Sequence, residues 1–214
     1  IGLAGVLHQV DGSRSVQMLV SRDGIRWNRV NKGQPFLAPR GEGYWDARMQ
    51  SIVSPPIEHG HELWFYNGAS ECSHDFWLAV HEGTGHPETK DQSLIRYALG
   101  VRKLRKDGYA SLDTNAYREG MLATRPLRVR GEQLAINGRC RPGGYIKAAL
   151  VNPQGAVLEG YSADGCIPFE GDAVRHDLKW KERSGVPFAN GGVCRLYLFM
   201  KDAELFSLRF ATAP

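Results

Sequence analysis

Apolar and polar residues alternate in short runs along the whole chain, and nowhere does the spacing of a long amphipathic helix persist. The pattern predicts strands at 2–10, 15–21, 47–54, 62–68, 94–104, 121–130, 133–138, 144–151, 172–180, 193–200 and 203–211. Asp11-Gly12, Asp23-Gly24, Asp107-Gly108 and Asn137-Gly138 supply turns, because the second residue of each pair readily takes positive φ. The run from Glu62 to Gly68 is almost wholly aromatic and apolar, which predicts a strand buried on both faces. The fold class is therefore all-β.

The rhythm changes near residues 113–120. Before them, strands are separated by long loops bearing His, Pro and Trp; after them, strands follow closely with hairpin turns. This places domains at 1–114 and 115–214. Segment 70–93 carries three histidines and five acidic residues. Long loops inside compact β domains are usually functional or disordered, and Phe76, Trp77 and Leu78 argue against full disorder. Residues 1–10 lack a basic leader and a cleavage signature and read as a strand entered part-way. The chain is accordingly expected to be a piece of something longer.

Composition changes this picture little. The chain has 214 residues, 42% hydrophobic and 23% charged, which suits one large globular domain or two small ones. It has no uninterrupted apolar window of about 18 residues, so no membrane-spanning helix is expected. Net charge is +4, with basic residues scattered except at Arg102, Lys103, Arg105 and Lys106. That cluster reads as a solvated strand end rather than a nucleic-acid footprint, which would interleave aromatics on one face. Cys72, Cys140, Cys166 and Cys194 form no C-x-x-C pair, so no zinc site is expected. One disulfide among the last three and buried free thiols fit equally well. An extracellular or periplasmic setting is preferred, and no cofactor motif is present.

Two turns carry a resemblance. Ser21-Arg22-Asp23-Gly24-Ile25-Arg26-Trp27 and Leu104-Arg105-Lys106-Asp107-Gly108-Tyr109 each end a strand, turn and reopen with an aromatic residue. The chain thereby resembles the five-bladed β-propeller glycosidases of glycoside hydrolase families 32, 43 and 68 and their bacterial relatives. Ile95–Leu112 looks like a closing blade, and Gly120 to Leu127 looks like the entry into a C-terminal sandwich. Gly155, Leu158, Gly160-Tyr161-Ser162, Cys166, Gly171-Asp172, Trp180 and Leu205-Phe206-Ser207 continue that pattern. The resemblance implies a partial β-propeller of about two blades followed by an antiparallel β-sandwich, a blade needing about four strands. It also implies that the blades with the first catalytic carboxylate lie outside this chain, and that the sandwich mostly supports the propeller. Asp23 and Asp107 are read as turn formers, and Trp180 as core.

Glycoside hydrolysis needs two carboxylic acids across the scissile bond. Asp46 follows Tyr44-Trp45 and leads into an apolar strand; in the resembled propellers a Trp-Asp pair there points to the central funnel. Trp45 would stack on a sugar ring, and Arg48 would bind substrate or pair with Asp46. Glu71, directly after the aromatic strand, is the second catalytic candidate, with His74 and Asp75 as substrate-binding residues. His59 and His61 read as a hairpin tip. His81 and His86, with Glu82 and Glu88, make a weaker metal candidate, and no metal site is predicted.

Three readings follow. The chain is a glycoside hydrolase segment acting on a carbohydrate, such as a furanoside, and supplying part of the active-site funnel. Alternatively it is a non-catalytic carbohydrate-binding or scaffold module. In the third, its exposed strand edges pair with missing blades or another copy of the chain, since unpaired edges invite pairing.

Overall fold

The computed structural model describes residues 1–74 and 91–212, with the side chains of all of these except Lys32 and Gln92. Asp75 and the loop histidines His81 and His86, with Glu82 and Glu88, lie outside the described residues. The chain is all-β, built on two sheets. It divides into two compact units, Ile1–Leu104 and Arg105–Pro214; the sequence rhythm set its boundary at 114/115.

The first unit holds a seven-stranded sheet. Its strands are β1 (Gly2–His8), β2 (Ser13–Val20), β3 (Asn28–Arg29), β4 (Met49–Ile52), β5 (Ile57–His59), β6 (Glu62–Ser70) and β7 (Tyr97–Arg105). The order is β1-β2-β4-β6-β5, with β3 against β2 and β7 against β6. Asp11 closes the first hairpin by accepting from the Ser13 amide at 3.0 Å. The Asp23 turn is built similarly: one carboxylate oxygen accepts from the amides of Ile25 (2.9 Å) and Arg26 (2.8 Å), while Gly24 takes φ +73°. Antiparallel β4 and β6 pair from Met49↔Ser70 to Ile52↔Asn67, so the start of one lies beside the end of the other.

Strand β6 differs from its predicted double burial. Leu63, Phe65 and Asn67 are buried while Tyr66 is 37% exposed, so the strand alternates and covers one side only. The interior it faces is unusually polar. Leu63 and Phe65 share it with buried Asp46, Gln50 and Asn67.

The second unit is built on β8 (Leu112–Asp113), β9 (Gly120–Ala123), β10 (Leu127–Gly131), β11 (Gln133–Val151), β12 (Asp172–Asp177) and β13 (Phe188–Ala211). Strands β8, β9 and β10 pair with successive stretches of β13, and β11 lies between β13 and β12. The expected strands 133–138 and 144–151 are one element, as are 193–200 and 203–211. Asn137-Gly138, expected as a turn, is a register shift within β11. A larger shift falls between Cys140 and Tyr145, opposite Asp202 at φ +43°. There a Cβ on Gly144 would lie 2.4 Å from the Asp202 carbonyl oxygen. Only glycine fits that approach. In the Asp107-Gly108 turn, positive φ (+57°) falls on Asp107 rather than on the glycine.

This unit has the larger apolar core, with Leu134, Ile136, Ile146, Leu150, Leu178, Leu196 and Leu198 essentially inaccessible. Trp180 belongs to it: the indole N–H donates to the carbonyls of Ser162 (3.0 Å) and Ala148 (3.2 Å), and the ring meets Tyr161 edge-on. All four cysteines are free and buried. Burial pushes the Cys140 thiol up to about 11 and raises those of Cys166 and Cys194. A thiol-reactive dye at neutral pH should therefore find no rapidly reacting cysteine in the folded chain and four after denaturation. Leu150→Ala should cost about 2–5 kcal/mol in urea denaturation, through lost transfer energy plus a cavity.

Candidate functional site

Residues 41–48 form turns ahead of β4 and carry Asp46 into the polar interior, where its side chain is inaccessible to solvent. One carboxylate oxygen accepts from Arg40 Nε at 2.6 Å; the other accepts from Gln50 Nε2 at 2.8 Å and from Arg102. Gln50 in turn accepts from Asn67 Nδ2 at 3.0 Å, which links the cluster to β6. Arg102, read from sequence as part of a solvated strand end, instead points inward from β7 beneath Trp45, its guanidinium 5.8 Å from the ring centre. Trp45 packs so tightly on β7 that a Cβ on Gly100 would lie 2.6 Å from it.

Burial pushes the Asp46 pKa up. The hydrogen bonds from Arg40 and Gln50 and the charges of Arg102 and Arg40 outweigh it, leaving the pKa below its ordinary value. Asp46 is thus an ionised carboxylate with both oxygens occupied, an arrangement that fixes elements in place. Glu71 sits differently, partly exposed beyond β6, with Arg96 at 3.5 Å. Arg48 reaches Glu42 at 3.8 Å, and its amide donates to the Ser70 carbonyl at 3.0 Å. The β4–β6 pairing therefore brings residues 46 and 71 to one end of the sheet, yet their carboxylates hold separate arginine partners.

The side chains opposite this cluster define a cavity of about 410 Å³. Arg14, Met49, Ser51, Ser70, His74, Tyr97 and Leu99 line it, together with the backbone at Gly68 and Ala69. The His74 amide donates to the Gly12 carbonyl at 2.7 Å, fixing this segment to the β1–β2 turn. Its Nδ1 is buried without a hydrogen-bond partner among the described residues. Tyr97 (62% exposed) and Leu99 (79%) form an open apolar wall.

Of the residues singled out from sequence, His74 lines this cavity. Asp46 and Trp45 form the buried cluster, and Arg48 and Glu71 lie at the adjoining strand ends. Arg14 and Tyr97 went unnoticed. Arg14 carried a weak signal, a charge inside an apolar-alternating strand; Tyr97 carried none. His59 ends β5 beside Gly60 and stacks on Trp64 at 4.4 Å, while no group of three metal-ligating side chains gathers among the described residues. No helix among them is long and apolar enough to cross a membrane. No protein-family model, curated protein or solved structure matches the chain.

Replacing Asp46 by Asn leaves two arginines facing a neutral group. The loss should be about 3 kcal/mol, the low end for a broken buried pair, because both guanidinium groups keep some solvent access. Its depressed folded pKa stabilises the fold above the unfolded value, and this contribution is lost as pH falls through the folded one. Thermal unfolding of the parent should therefore weaken below about pH 4, and Asp46→Asn should flatten that part of the profile.

Proposed function

We propose that the chain binds carbohydrate in the cavity beside His74, as one wall of a glycosidase-type β-propeller whose second unit is a supporting β-sandwich. The observation that carries this reading is that one cavity is lined both by His74, whose Nδ1 has no hydrogen-bond partner among the described residues, and by the exposed ring of Tyr97. Sugars present hydroxyls on their edges and C–H groups on their faces. A polar atom lacking a partner suits the first, and an exposed ring suits the second.

Two further observations agree. The cavity's volume falls within the range of small-molecule sites. Beside the cavity, Tyr66 and Val101 are exposed apolar residues on β6 and β7, as expected where another blade of a propeller would stack.

In this reading Asp46 is a positioning residue. Its carboxylate is already satisfied by Arg40, Gln50 and Arg102, and those bonds hold Trp45 and β4 behind the cavity. Hydrolysis is the second reading. It draws on the shared strand end of residues 46 and 71 and would assign proton donation to Glu71, with the opposing carboxylate supplied from outside the described residues.

Saturation-transfer NMR with a panel of methyl pyranosides and furanosides tests the first reading. At least one should bind, and His74→Ala and Tyr97→Ala should each weaken it about tenfold, the equivalent of one lost hydrogen bond or stacking contact. Binding that survives both substitutions, or no binding across the panel by a folded chain, would overturn it. Release of aryl aglycone by the chain, abolished by Glu71→Gln, would favour the second.

A further inference from the structure

Resting on the carbohydrate reading of the cavity, we infer that its preferred ligand is an acidic sugar, one bearing a carboxylate of the uronic acid kind. Among the described residues the lining carries Arg14, His74, Ser51 and Ser70 and no carboxylate. The guanidinium of Arg14 makes no ion pair with any described residue, whereas Arg40, Arg48, Arg96 and Arg102 each have an acidic partner. Its place is set by β1, where it lies so close over Gly5 that a Cβ there would come within 2.6 Å of it.

A guanidinium left without a counter-charge beside a cavity is matched by an anion. Its planar fork fits the two oxygens of a carboxylate better than a single hydroxyl. His74 stands on the same wall, and the Ser51 hydroxyl suits the neutral hydroxyls of the ring. Tyr97 and Leu99 supply the apolar face a sugar ring needs and a small inorganic anion does not.

Calorimetric titration of matched pairs tests this: methyl glucuronide against methyl glucoside, and methyl galacturonide against methyl galactoside, with sodium sulfate as a third arm. At least one uronide should bind about tenfold tighter than its neutral partner, and the difference should shrink at high salt. Arg14→Gln should erase the preference while leaving neutral-sugar binding in place. Gly5→Ala, which crowds the guanidinium but keeps its charge, should reduce it. Equal affinity within every pair, or a preference that survives Arg14→Gln in a folded variant, overturns the acidic-sugar inference alone. Sulfate binding as tightly as any uronide makes this a plain anion site and overturns it as well. Failure of every sugar to bind overturns the carbohydrate reading beneath it.

Discussion

A carboxylate taken out of water must be matched by charge and hydrogen bonds close at hand, and Asp46 imposes that condition on the first unit. Arg40 arrives from the loop before it, Gln50 from β4, and Arg102 from β7, fifty-six residues later in the chain. Three segments that share no long apolar seam are thereby drawn to one point. Remove the carboxylate and both guanidinium groups lose the anion they face. The cluster is also what keeps Trp45 pressed on Gly100 and the β4–β6 pairing in register behind the cavity.

The two units are held together by different physics. The second unit relies on apolar packing: long strands β11 and β13 run side by side, and their buried core residues are Leu, Ile, Ala, Met, Phe and Cys. The first relies more on polar matching, and Asn67 Oδ1 and Arg102 Nε remain buried without partners among the described residues. An interior of that kind specifies geometry more than it adds stability. It would suit the proposed role of placing a few groups around a cavity.

Much of the fold was legible in the chain. Alternation marked most of the strands, and Asp-Gly pairs marked turns because carboxylate acceptance of backbone amides is a local matter, as at Asp23. The joining of 133–138 with 144–151 was not legible. Asn137-Gly138 carries turn chemistry, but its asparagine is buried and bonded to Arg105 and the Lys106 carbonyl, contacts made far along the chain. Strand β6 misled for a related reason: Tyr66 and Phe65 look alike in composition, and only tertiary context exposes one and buries the other. At the site, His74 could be picked out because a histidine in a polar loop is conspicuous. Arg14 and Arg102 could not be, since which arginine meets a carboxylate and which is left facing a cavity depends on pairings between distant strands.

Two roles that the sequence placed together fall apart in the fold: Asp46 is the buried anchor, and the His74 wall is the proposed ligand surface. The most direct measurement is NMR of the His74 imidazole and the Asp46 carboxyl carbon during titration with a bound methyl glycoside. The account predicts that the imidazole resonances move with ligand while the Asp46 carboxyl stays ionised and unshifted. Movement at Asp46 with the His74 ring unperturbed would contradict it.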